Sequence, residues 1–255
     1  MRSVKKTTIT EHRAAHEPDQ IRRRLTAPPD HSYLRDLIYG AIDGTVTTFA
    51  VVSGVAGAGL SSELVILLGL ANLLGDGFSM AASNFLGTRA DEQLLERARR
   101  EEESHIELYP EGEREEIRQI FASKGFDGKD LERIVEVISA DRQRWVDTMI
   151  TDELRMPLHR PNAITAALAT FFAFVLVGIL PLLPFLVNLF LGQASTRIFL
   201  YSSLVTGATF FLVGAAKSRF VQQHWYRSGL ETLAIGASAA SLAYLVGWLL
   251  KGLIR

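Results

Sequence analysis

Apolar and charged positions are sharply segregated along this chain. No charged residue occurs between Asn162 and Thr196, and similar gaps run from Thr45 to Ser62, from Ile198 to Ala216 and from Thr232 to Leu250. Stretches of roughly 20 apolar residues are what a helix needs to cross about 30 Å of hydrocarbon. Core helices of a large soluble protein would carry polar faces, and these stretches lack them. The pattern predicts an all-α membrane protein with five transmembrane helices, at about Leu34 to Leu60, Leu64 to Gly87, Pro161 to Leu183, Phe199 to Ala216 and Leu230 to Leu253. Ser61 and Ser62 leave room only for a tight hairpin between the first two. Pro181 and Pro184 mark the end of the third helix or a kink in it, and the apolar run from there to Leu191 reads as a loop or interfacial segment.

These spans divide the chain into four parts. Residues 1–33 form a flexible basic tail with few large apolar side chains. Residues 34–88 hold transmembrane helices 1 and 2, and residues 159–255 hold helices 3 to 5. Between them, residues 89–158 form an acidic helical insert. From Arg89 to Arg155 there are 19 Asp and Glu against 12 Lys and Arg, a net charge of about minus seven, in a helix-favouring composition broken at Pro110 and at Gly125 to Gly128. Five spans put the termini on opposite sides, so the basic residues can be tested against one orientation. The tail has Arg22, Arg23, Arg24 and Arg35, the link between helices 4 and 5 has Lys217, Arg219 and Arg227, and the insert has its 12 basic residues. The other side has only Arg197, Lys251 and Arg255. The N-terminus and the insert are therefore expected in the cytosol.

Composition narrows the chemistry. Mean hydropathy is +0.16 although 22% of residues are charged, an average that hides the segregation. There is no cysteine, which excludes disulfides and thiolate ligands and leaves oxygen, imidazole or thioether for any metal. The first 30 residues contain no apolar core of the kind a cleavable signal requires, so the first span is expected to act as its own insertion signal. The chain has no nucleotide-binding glycine loop, nucleophile elbow or His-Glu-x-x-His, which removes support for an ATP-driven pump or a membrane protease. Transport on an ion gradient remains, and no nucleic-acid partner is expected.

Two carboxylates stand inside predicted spans and away from their ends. Asp43 lies in Ile-Asp-Gly-Thr of the first, and Asp76 in Leu-Gly-Asp-Gly-Phe-Ser-Met of the second. A carboxylate at such depth costs at least about 2.5 kcal/mol, so it needs a partner, water or a substrate. It binds a cation or proton, or it is bonded across a helix interface. Met80 follows Asp76 by four residues and projects from the same helix face. A thioether beside carboxylates suits a borderline-soft ion such as Fe²⁺ better than Mg²⁺ or Ca²⁺. The insert repeats the combination. Glu101, Glu102 and Glu103, then Glu107, Glu111, Glu113, Glu115 and Glu116 crowd two helical segments joined at Pro110, and Met149 and Glu153 are again four residues apart. Such carboxylates repel one another unless cations intervene, and nearby Arg99, Arg100, Arg114 and Arg118 offset only part of that. A solvated acidic face is the plainer alternative. His105 is a possible nitrogen ligand, but a lone histidine on a cytosolic helix is more often incidental.

Arg35-Asp36-Leu-Ile-Tyr-Gly-Ala-Ile-Asp43-Gly44, Asp76-Gly-Phe-Ser-Met80 and Pro110-Glu-Gly-Glu113-Arg-Glu-Glu116 with Lys124-Gly125 resemble the vacuolar iron transporter family from about Leu34 onward. The resemblance implies a homodimer that exports Fe²⁺ from the cytosol in exchange for protons, with Mn²⁺, Co²⁺ and Zn²⁺ as further candidates and no resident cofactor. Carried over by position, Asp43 and Met80 look like the membrane metal site, with Asp76 beside them. Glu102, Glu113, Glu116, Met149 and Glu153 look like the cytosolic set, joined by Glu103 and Glu107. Three positions depart from the family pattern: His105 where another Glu is usual, Ile150 where a second Met can occur, and Asn72 where a carboxylate is expected. Short loops and the lack of an organelle-targeting presequence favour a bacterial or archaeal plasma membrane over a vacuolar one. Glycines such as Gly40, Gly44, Gly54 and Gly57 permit close helix contact. The competing reading is a membrane-anchored metal sensor or buffer, against which the costly intramembrane carboxylates argue.

Overall fold

The computed structural model describes residues 9–26, 32–191, 197–221 and 223–253. Its elements are α1 (Ile9–Ala15), α2 (Pro18–Thr26), α3 (Leu34–Ala58), α4 (Ser62–Leu108), α5 (Pro110–Ser123), α6 (Gly128–Ser139), α7 (Arg142–Thr148), α8 (Ala163–Gly178), α9 (Leu183–Leu191), α10 (Ile198–Val221) and α11 (Trp225–Leu250). A π-helical turn over Met149–Glu153 follows α7, and a 3₁₀ turn over Leu180–Leu182 joins α8 to α9. Among the described residues five helical stretches are long and apolar enough to cross a membrane: Leu34–Ala58, Ser62–Leu108, Ala163–Leu191, Ile198–Arg219 and Trp225–Leu250. The all-α, five-span expectation holds. Part of the expected tail is helical in α1 and α2, while residues 1–8 and 27–31 lie outside the described residues.

Two boundaries differ from expectation. The run after Pro181 is not a loop: the 3₁₀ turn and α9 carry the third span on to Leu191. Pro181 and Pro184 each enter at the start of a new helical turn, where a missing N–H removes no bond. The Pro181 carbonyl accepts a hydrogen bond from the Ser202 hydroxyl on α10 at 2.6 Å. The second difference is α4. Its apolar part ends near Gly87 as expected, but the helix runs on for 47 residues in all, about 70 Å at 1.5 Å per residue. Gly87 is exposed, with open space where a Cβ would stand. A helical glycine costs about 1 kcal/mol relative to alanine, and the Ala, Leu, Glu, Gln and Arg residues that follow outweigh it.

The chain forms two compact units, Met1–Asn84 with Ile164–Arg255, and Phe85–Ala163. In the first, small residues set the helix spacing. A Cβ at Gly40 or Gly44 would strike the backbone of Thr170 or Phe174 on α8, and one at Gly57 the backbone of Tyr244 on α11. The glycines therefore do permit close contact, and they use it within this chain. Several hydroxyls find partners on their own helices, as in Thr45 to the Ala41 carbonyl at 2.7 Å and Thr206 to the Ser202 carbonyl at 2.7 Å. This matters where no water can serve. Phe49, Val52, Val65, Leu182, Phe185 and Phe210 fill the centre, while Leu176, Phe190, Leu204, Leu212 and Leu242 point outward. That arrangement suits lipid as solvent.

The second unit has an ordinary inside-out pattern. Leu131, Val135 and Ile138 form the buried stripe of α6 and, with Ile117, Trp145 and Met149, make up its core. Leu95, Val146 and Ile150 pack beside it. Gly125 and Gly128, at φ 95° and 53°, supply the left-handed turns between α5 and α6. Asp141 caps α7 by accepting from the Arg144 amide at 2.8 Å.

Candidate functional site

In the second unit α4, α5 and the π-helical turn bring four of the predicted acids into one electrostatic cluster. Glu102 lies roughly 20 Å along α4 past Arg89, the first charge after the apolar run, and so stands clear of the membrane-spanning part. Glu113 comes from the first turn of α5, one turn before Glu116, and Glu153 ends the π-helical turn. Glu102 and Glu113 are 4% and 7% exposed, and one carboxylate oxygen of each is buried with no hydrogen-bond partner. Burial first, then the charges of Glu153 and Glu113, push the Glu102 carboxyl up to about 7, with His105 opposing. Glu113 and Glu153 are raised as well, chiefly by burial and then by Glu116. Buried carboxylates are normally paired. Among the described residues no Lys or Arg forms an ion pair with these four acids.

The neighbouring bases are engaged elsewhere. Arg118 pairs with Glu115 and Glu132, Arg99 with Asp147 at 2.7 Å, and the Arg114 guanidinium lies over the Trp145 ring. Glu103 and Glu107, expected in the cluster, face Arg142 instead, at 4.0 and 2.6 Å. Helix register explains this: 103 and 107 are four apart and share a face, about 100° around α4 from Glu102. Met149 is fully buried in the apolar core with Ile117 and Ile138. The residue that sequence reasoning set aside is His105. Its Nδ1 lies 3.8 Å from Glu113 Oε1, and it acts electrostatically on Glu102, Glu113 and Glu153. Its position three residues after Glu102 was the available signal. Among the described residues no three His, Asp or Glu side chains converge as a ready-made metal cage, so ligation requires the acids to close in.

The π-helical turn gives this cluster its shape. Such turns insert one extra residue and recur at functional sites. Here the turn ends with the Leu154 amide donating to the Met149 carbonyl at 3.1 Å. Lys124, just after α5, ties the turn down through Asp152.

In the first unit Asp43 on α3 is half-buried, and Asp76 on α4 is close enough for its charge to act on it. Met80 is half-buried, and Asn72, with an unpartnered buried amide nitrogen, stands four residues before Asp76. Asn84 continues the series and donates to Asp36 Oδ1 at 2.9 Å and to Thr170 Oγ1 at 2.7 Å, linking α3, α4 and α8. Polar or sulfur side chains thus recur every fourth residue from 72 to 84, drifting about 40° per step around α4. The chain's large cavity, about 780 Å³ between α3, α10 and α11, is lined by Phe49, Ser53, Phe199, Phe210, Tyr244 and Trp248 among others. Its lining holds no carboxylate.

Known proteins resemble this chain over most of its length. The model of the VIT family matches residues 34–248. A protein named vacuolar iron transporter from Toxoplasma gondii is 34% identical, with 94% of this chain and 83% of that protein covered. One of the same name from Plasmodium berghei is 32% identical over 87% of this chain and 84% of its own length. Vacuolar iron transporter 1 of Arabidopsis thaliana is 31% identical, covering 83% of each.

Proposed function

The chain belongs to the VIT family, and from that premise we propose that it exports Fe²⁺ from the cytosol in exchange for protons. It is a multi-pass integral membrane protein of metal-ion transport and not an enzyme. Iron as the cargo is supported by the names of its relatives and by the pairing of carboxylates with thioethers. In this reading Glu102, Glu113, Glu116 and Glu153 collect the ion on the cytosolic side, with Met149 beneath them. Asp43, Asp76 and Met80 hold it within the membrane. Glu103 and Glu107, paired with Arg142, hold the α4–α7 corner together instead.

The observation that carries the proposal is the pair of buried, unpartnered carboxylate oxygens of Glu102 and Glu113. Uncompensated carboxylates persist where a cation will satisfy them. Protons supply the return half of the cycle, because a carboxylate in a dry site exchanges a proton for a cation readily. The distribution of basic residues supports a cytosolic tail, insert and link between the last two spans. The relatives are named for the vacuole, whereas short loops favour a plasma membrane; the direction, cytosol to far side, is the same for either. A homodimer belongs to the same proposal and rests on the family resemblance.

Vesicle flux assays test the residue assignment. Asp43→Ala and Met80→Ala are each expected to reduce Fe²⁺ flux severely while leaving metal binding by the insert intact. Wild-type flux in both variants would contradict it.

A further inference from the structure

We infer that the cavity between α3, α10 and α11 binds one anionic phospholipid, with an acyl chain inside it and the phosphate beside Lys251. This goes beyond the transport reading and does not rest on it. The cavity holds about 780 Å³ and is walled mainly by apolar side chains, among them Phe49, Phe199, Phe210 and Trp248. Sites for small molecules are of this size, about 300–1,000 Å³. The rings brace one another: Phe49 stacks on Phe199 with centroids 6.3 Å apart, and Phe199 meets Tyr244 at 6.1 Å. All three helices have the length and composition of membrane spans, so lipid is the solvent around them. A flexible acyl chain follows a recess that a straight helix of a second copy would bridge over.

Two polar groups fix which end of the lipid lies where. Ser203 and Ser241, which also line the cavity, donate to the Phe199 and Ala237 carbonyls of their own helices at 2.8 and 2.7 Å. Ser53 lines it too and is 1% exposed, yet its hydroxyl has no hydrogen-bond partner. A buried donor left unused is costly, and the ester carbonyl of a phospholipid is an acceptor that reaches it. Lys251 follows Trp248 by three residues, and its Nζ stands 3.0 Å from where a Cβ would lie on Gly59, just past α3. Among the described residues Lys251 forms no ion pair. Gly59 is six residues beyond Ser53, about 9 Å along the helix. The ester and headgroup layer of one leaflet is about 5–7 Å deep, and the flexible lysine stem spans the remainder. Tyr244 and Trp248 stand between these two groups, and such rings favour that layer. Chain, ester and phosphate thus meet the cavity, Ser53 and Lys251 in turn.

The test is native mass spectrometry of the full-length protein released from detergent micelles, after delipidation and addition of phosphatidylglycerol or phosphatidylcholine. The wild type is expected to retain one phosphatidylglycerol per chain and to prefer it over phosphatidylcholine by roughly fivefold, the contribution of one lysine at a membrane surface. Lys251→Gln should erase that preference. Ala237→Trp and Ser241→Trp each place a ring in the cavity from an exposed position, and should abolish retention of both lipids. Lys251→Gln changes only the end of α11 and reads the headgroup contact even where the larger rings disturb the fold. A wild type that retains no lipid, one that holds both lipids equally, or unchanged retention in both Trp variants would each overturn the inference. So would Trp variants that separate a dimer without altering lipid retention, since a second copy would then fill the cavity.

Discussion

Glu102 has a carboxyl held up at about 7 by burial and by its acidic neighbours, against an ordinary value near 4.5. The folded chain therefore binds this proton more tightly than the unfolded chain does. Between about 4.5 and 7 the unfolded form has lost the proton and the folded form keeps it, so stability falls as pH rises through that window. Metal-free protein should melt at a lower temperature at pH 8 than at pH 5, and Glu102→Gln should flatten the difference. Differential scanning of the two proteins across pH checks this, and an unchanged slope in the variant would contradict it. Bound metal should offset the loss at pH 8, since the ion replaces the proton. A second comparison separates the acids that cluster from those that do not. Glu113→Gln should weaken metal binding by roughly tenfold or more, while Glu107→Gln, which only loosens an exposed pair with Arg142, should leave it nearly unchanged. Titration of each variant with Co²⁺ reads both. The four clustered acids were legible in the sequence as an excess of carboxylates over bases. That Glu103 and Glu107 turn away was also encoded, in their offset from Glu102 around the helix. What no spacing revealed was Arg142, some 35 residues away in the chain, reaching them.

Among the elements, α3 packs closely against α8 and α11 through its glycines. Gly44 lies against the backbone around Phe174 on α8, which cannot move aside as a side chain would. Gly44→Val should cost about 1–3 kcal/mol by overpacking. Thermal unfolding in detergent should show a clearly lowered midpoint, whereas Gly87→Ala, with open space around it, should be neutral or stabilising. The five spans were legible because hydrocarbon demands runs of apolar residues that few other structures require. The course of the chain past Pro181 was not, because proline reads equally as a stop and as the first turn of a new helix. The Ser202 hydroxyl that donates to the Pro181 carbonyl comes from another span and has no local signature. The continuity of α4 past Gly87 was hidden for a similar reason, since a change of solvent along the chain resembles a change of element.

At the scale of the whole molecule, a lipid-facing helical unit carries the half-buried Asp43 and the exposed Asp76, and a charged helical unit carries a second set in which Glu102 and Glu113 are buried. An inert anchor would not keep the first, and a solvated acidic surface would not bury the second without cations. Together they support the proposed carrier, which gathers a divalent cation on one side of a membrane and hands it on. The central claim is that metal and protons move in opposite directions through this chain. The direct measurement is Fe²⁺ entry into proteoliposomes loaded with a pH-sensitive dye, with and without an imposed proton gradient. Metal entry accompanied by proton exit, accelerated when the lumen is more acidic than the medium, is the predicted result. Metal binding with no flux, or flux that leaves the luminal pH unchanged, would contradict it.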